Sequence, residues 1–99
     1  MVTTEEVLQL LRHVIDPELG INIVDLGLVY DVTVENDCAE IKMTMTTPAC
    51  PLYQYLTEQA EMQLRRGLPG LKAVAIELVW EPEWNPMMMS WEAQALLGG

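Results

Sequence analysis

A chain of 99 residues with 51% hydrophobic content is long enough for one compact domain, 1–99, with a modest core. Fifteen acidic residues against five basic ones give a formal net charge of -10, which repels phosphate backbones and anionic lipid and so disfavours nucleic acid or a membrane surface as partner. No apolar run approaches the ~20 residues of a membrane span, and the start, Met1-Val2-Thr3-Thr4-Glu5-Glu6, lacks a secretory pattern, so a soluble cytoplasmic protein is expected, with Cys38 and Cys50 as free thiols.

Thr3 and Glu6 have capping-box spacing, and Val7, Leu8, Leu11, Val14 and Ile15 recur at helical spacing, which predicts a first helix over about Thr4 to Ile15. Asp16-Pro17-Glu18-Leu19-Gly20 reads as a turn, because Pro17 pushes Asp16 out of the helical region and Gly20 tolerates positive φ. A connecting loop then carries Asn22, Asp25 and Gly27. From Leu28 to Glu35, Tyr30, Val32 and Val34 alternate with Asp31, Thr33 and Glu35, and from Cys38 to Thr46, Ile41, Met43 and Met45 alternate with Lys42, Thr44 and Thr46. With Asn36-Asp37 between them, the two runs predict an antiparallel hairpin.

After Thr47-Pro48-Ala49-Cys50-Pro51, Leu52, Leu56, Ala60 and Leu64 recur every four residues. Arg65, Arg66 and Gly67 then supply a cationic last turn and a stop, so a second helix is expected over about Pro51 to Arg66. Ala73 to Trp80, with Val74, Ile76 and Leu78 on one face, reads as a third strand, which Pro82 and Pro86 cannot prolong. Ser90 caps a short last helix, Trp91 to Leu97. The expected fold is α+β in the order α-β-β-α-β-α, a three-stranded mixed sheet with helices packed mainly on one face.

Cys50 lies between Pro48 and Pro51, and Pro51 suits a first helical position, so Cys50 is expected to cap the second helix. Unpaired N–H groups and the helix dipole there favour an anion, which lowers a thiol pKa and makes the sulfur a nucleophile or a soft-metal ligand. A small buried cysteine that happens to sit at a helix start is the plainer alternative. Cys38, beside a turn with nothing to activate it, reads as structural. Asp16 and Glu18 offer two carboxylates around a proline, either hard-metal or acid–base groups or an ordinary solvated acidic turn. His13, the sole histidine, is near enough in sequence to join them or to remain a surface residue. The segment with Trp80, Trp84, Met87, Met88, Met89 and Trp91 suits a partner interface or a cover for the sheet.

Paired Cys-x-x-Cys or His spacings for zinc and a phosphate-cradling glycine loop are both missing from the sequence. One activated cysteine cannot by itself hold an iron–sulfur cluster, for which four ligands are usual. Any cluster would be transient, shared with a partner, a small thiol or a second copy.

Three blocks in one order carry a resemblance that covers almost the whole chain: Val14-Ile15-Asp16-Pro17-Glu18-Leu19-Gly20 on through Asp25-Leu26-Gly27 to Tyr30; Met45-Thr46-Thr47-Pro48-Ala49-Cys50-Pro51-Leu52; and Trp80-Glu81-Pro82-Glu83-Trp84 with Met89-Ser90-Trp91-Glu92-Ala93. In these the sequence resembles the SufT/PaaD-type iron–sulfur cluster assembly domain family. The resemblance implies a compact α/β fold and a role in maturing or repairing iron–sulfur proteins. Its functional cysteine corresponds to Cys50, its acidic turn to Asp16 and Glu18, and its threonines to Thr46 and Thr47. The sequence ends at Gly99 without the further cysteines associated with PaaD proteins, which accompany a phenylacetyl-CoA epoxidase, and without the ATPase domain fused in some relatives; a stand-alone SufT-like role is therefore expected.

Three functions are ordered on these grounds. The first is an accessory factor in cluster assembly or delivery, with Cys50 as transient ligand of iron or of an iron–sulfur cluster, working with scaffold and client proteins and plausibly as a homodimer. The second is a pure protein adaptor, and a PaaD-like role beside the epoxidase stands with it as an alternative. The third, a thiol enzyme, lacks a convincing base, since His13 is the sole candidate.

Overall fold

The computed structural model describes residues 2–46 and 52–96. The first helix, α1 (Thr4–Leu11), begins as expected, with the Thr3 side chain accepting from the Glu6 N–H at 3.1 Å and Glu6 answering at the Thr3 N–H at 3.0 Å. It ends four residues earlier than its apolar spacing predicts, at Leu11 instead of Ile15. The β-branched Val14 and Ile15 and the residue before Pro17 all favour extended backbone. Ile15–Asp16 accordingly becomes a short strand, β1, paired antiparallel with β2 (Ile21–Asn22) around the Pro17–Gly20 turn. Val14 keeps its place in the core, 1% exposed, by accepting from the Ile23 N–H through its carbonyl rather than by extending the helix.

The main sheet has the order β3-β4-β5, from Val29–Glu35, Cys38–Met43 and Ala73–Leu78. Strands β3 and β4 form the predicted hairpin, turning at Asn36 and Asp37 with φ of 51° and 61°, the pair of positive values that a tight turn matched to strand twist requires. Strand β5 pairs parallel to β4, with the helix α2 (Leu52–Gly67) as the intervening crossover element. The sheet is therefore mixed, as expected. One face, with Ala39, Ile41 and Met43 buried, meets Val7 and Leu11 of α1 and Leu56, Ala60 and Leu64 of α2 in one continuous core. Leu10 of α1 lies so close to Gly67 that any Cβ there would fall within about 2.6 Å of its methyl carbons, so the end of α2 is fitted to α1 by the absence of a side chain.

Strand β5 stops at Leu78, short of the predicted Trp80. The chain continues as an irregular strap over residues 79–90, with one 3-10 turn at Pro86–Met88, into α3 (Trp91–Leu96), whose first turn Ser90 caps by accepting from the Ala93 N–H at 3.1 Å. Thr44 departs from the alternation that groups it with the outward Lys42. It is completely buried, and its hydroxyl lies beside the Tyr30 phenol without reaching good hydrogen-bond geometry with any partner among the described residues. Among the described residues no helix is long and apolar enough to cross a membrane.

Candidate functional site

The acidic turn is built by its own backbone. Asp16 is 4% exposed, and its Oδ1 accepts from the N–H of Glu18 at 2.8 Å and of Leu19 at 3.3 Å, while its carbonyl accepts from the Gly20 N–H at 2.7 Å. One carboxylate oxygen is thus committed to holding the turn, and the exposed Glu18 is carried outward on it. Pro17 and Gly20, with φ +70°, make that geometry inexpensive. His13 is exposed at the preceding bend, and among the described residues no group of three His, Cys, Asp or Glu side chains could hold a metal ion. Among the described residues, the acidic turn therefore displays the Glu18 carboxylate and keeps that of Asp16 largely inside, and no metal-holding cluster forms around them.

The loop carrying Asn22, Asp25 and Gly27 has a role that sequence reasoning missed. Asn22 and Asp25 bond each other twice, Nδ2–H to Oδ2 at 2.8 Å and the Asp25 N–H to Oδ1 at 2.9 Å, and Asp25 Oδ1 also pairs with Arg12 at 2.7 Å. The strap docks on the same loop. The Trp84 indole N–H donates to the Leu26 carbonyl at 2.7 Å, and the Ser90 N–H donates to the Asp25 carbonyl at 2.7 Å. Gly27, with φ +79°, lies against the Met88 backbone, where a Cβ would come within 2.8 Å of the Met88 carbonyl carbon. The clue available in the sequence was the run Asp25-Leu26-Gly27, whose glycine turns out to serve a close approach as well as a turn.

Tyr30 ties the strap from the sheet side. It sits where the β3–β4 register shifts between Val29 and Asp31, and its hydroxyl donates to the Pro82 carbonyl at 2.7 Å with Met88 Sδ at 3.4 Å. Burial pushes its phenol pKa above the ordinary 10.0, partly countered by the neighbouring Thr44 hydroxyl. The strap is thus a cover, as one of the two sequence readings held. Its cover is incomplete, for Trp80, Met87 and Trp91 remain exposed, at 42%, 79% and 83%.

Because β4 and β5 run parallel, their carboxyl ends share one side of the sheet. Met45 and Thr46 follow β4 and Trp80 follows β5, and together with Glu81, Glu83 and Trp84 they line a cleft of about 260 Å³. A second, wider cleft of about 570 Å³ adjoins Tyr30, Lys42, Glu81 and Met88. The carboxyl ends of strands are where open α/β sheets place ligands. Of the expected site residues, Thr46 stands in the smaller cleft and Asp16 and Glu18 on the β1–β2 turn, while Thr47 and Cys50 lie outside the described residues, as does the expected Cys50 cap of α2. Cys38 is half-buried at the start of β4, its Sγ 3.7 Å from the Asn36 carbonyl, in keeping with a structural role. Sequence reasoning did not single out Glu81 and Glu83, since acids beside prolines look like any exposed turn.

A family model described as iron–sulfur cluster assembly protein matches residues 4–78. The chain is similar to an Fe–S protein maturation auxiliary factor of Porphyromonas gingivalis, 43% identical over 97 residues that cover 97% of this chain and 91% of the relative. It is also similar to the Fe–S protein maturation auxiliary factor SufT of Staphylococcus aureus, 41% identical over 86% of this chain and 97% of the relative. Among solved structures, a domain of unknown function from Bacillus anthracis superposes with a TM-score of 0.93 at 40% identity, covering 95% of this chain and 90% of that one.

Proposed function

This chain belongs to the iron–sulfur cluster assembly protein family, and on that footing we propose that it serves as an auxiliary factor in the maturation of iron–sulfur proteins. The observation that carries the reading is the near-complete alignment, at 43% identity, with a protein named for that role. The cluster is cargo. Cys50 supplies one thiolate ligand to an iron of the cluster during transfer, exchanging with a ligand of the donor, and the remaining ligands come from a scaffold, a client, a small thiol or a second copy of this chain. The outward Glu18 and the ordered Asp16 turn supply carboxylates for the partner or the metal, and Thr46 and Thr47 stand just before the cysteine in sequence, Thr46 in the smaller cleft.

The test is a maturation assay. Cells depleted of the protein and supplied with wild type, Cys50→Ser or Cys38→Ser are scored for the activity of a cluster-dependent dehydratase. Rescue by Cys38→Ser together with failure of an equally abundant Cys50→Ser is the expected result, whereas full rescue by Cys50→Ser removes the thiol from the mechanism and leaves an adaptor. Anaerobic reconstitution with iron and sulfide, followed by visible spectroscopy and light scattering, then reports whether a cluster is held and whether two copies share it.

A further inference from the structure

The cleft at the carboxyl ends of β4 and β5 is lined by two indoles and two carboxylates, from Trp80, Trp84, Glu81 and Glu83, together with Met45 and Thr46. Trp84 is fixed there by its bond to Leu26, so its ring is preorganised, while Trp80 and both glutamates are exposed. Neither glutamate takes part in an ion pair among the described residues, where the pairs are Arg12–Asp25 and Arg65–Glu61. Lys42 lines the adjoining cleft, which Glu81 also borders, without forming an ion pair with it. About 260 Å³ is below the range of roughly 300–1,000 Å³ usual for drug-sized ligands and suits a single long side chain.

From this lining we infer that the cleft receives an arginine side chain from a basic segment of a partner protein. The chemistry is specific to that group. A guanidinium stacks its flat face on an indole while its edge donates two parallel N–H bonds to a carboxylate, and an ammonium does only the second, as a point charge. An apolar side chain would satisfy the indoles but would bring the carboxylates out of water without a partner. The net charge of -10 draws basic segments toward the molecule before any contact forms. This goes beyond the maturation role and does not use Cys50, so the cleft and the cysteine fail or succeed separately.

The test follows the three tryptophan indole N–H signals by nuclear magnetic resonance in the intact protein. Blocked peptides of glycine and serine with one central arginine, citrulline or norleucine are titrated in turn. Saturable shifts at Trp80 and Trp84 with the arginine peptide, at an affinity roughly fivefold or more above the citrulline peptide and reduced by added salt, are expected, with Trp91 as the internal control. Glu81→Gln with Glu83→Gln, both at exposed positions, abolishes the difference between arginine and citrulline while the dispersion of the rest of the spectrum confirms the fold. Trp80→Leu lowers the affinity for arginine independently. Equal shifts at all three indoles, a preference for norleucine, or an arginine preference that survives the double substitution each overturn the assignment. Indole shifts that depend on protein concentration alone, marking a second copy in the cleft, overturn it as well.

Discussion

Two turns of this protein begin with an aspartate and end with a glycine in the left-handed region, and they do opposite things. At Asp16–Gly20 the carboxylate is spent on the turn's own backbone, Gly20 has no atom within 4 Å of where a Cβ would stand, and Glu18 is displayed to solvent. At Asp25–Gly27 the carboxylate reaches Arg12 and Asn22, the backbone receives Trp84 and Ser90, and Gly27 is pressed against Met88. The first is a local device whose outer surface remains available for chemistry. The second is a joint that holds the strap onto the rest of the fold. Similar sequence signals therefore mark a self-contained turn in one place and an assembly point in the other, and only the partners distinguish them.

Substituting the two glycines gives the sharpest contrast. Gly27→Ala combines left-handed strain with a backbone collision and is expected to cost about 3 kcal/mol or more, against about 1 kcal/mol for Gly20→Ala, where the strain stands alone. Urea denaturation midpoints measure both, and equal losses would mean that the strap is not seated on Gly27. The aspartates extend the comparison at smaller amplitude. Asp25→Ala removes a partly buried ion pair and the Asn22 bonds, for about 2 kcal/mol, and its tryptophan emission should shift to the red as the strap loosens; Asp16→Ala should cost about 1 kcal/mol without that shift.

The smallest expected effect concerns pH. Burial raises the folded-state pKa of Tyr30 above 10.0, so the stabilisation from its neutral phenol is complete below pH 10.0 and is lost as pH rises through the higher folded value. Wild type should therefore lose more stability than Tyr30→Phe on passing from about pH 9 to about pH 11, beyond a pH-independent difference of about 1 kcal/mol for the missing bond to Pro82. Parallel profiles for the two proteins would show that the phenol does not clamp the strap.

Much of this architecture could be read beforehand, for reasons specific to each element. The capping box at Thr3 and Glu6, the alternation of β3 and β4 and the four-residue spacing of α2 are local patterns with local causes, and each is present, although β4 stops at Met43, short of the expected Thr46. Helix α1 was over-extended because Val14 and Ile15 continue its apolar spacing, and only the pairing of Ile15 and Asp16 with Asn22 and Ile21 reveals that they belong to a strand. Thr44 was read as outward because alternation says nothing of a strap arriving from 35 or more residues away. The acidic turn was legible as chemistry, but that Asp16 spends an oxygen on its own turn was not. The cleft was illegible for a further reason: Thr46 and Trp80 meet only because β4 and β5 are parallel, a relation that no window of sequence contains.

All three tryptophans lie between residues 80 and 91, and none belongs to the sheet or the two long helices. Tryptophan fluorescence of this protein, excited at wavelengths that spare tyrosine, is therefore a reporter of the terminal segment alone, whereas far-ultraviolet circular dichroism is dominated by α1, α2 and the strands. If the segment detaches before the remainder melts, the two signals will give separate transitions, and a chain of this size will behave as two cooperative units rather than one.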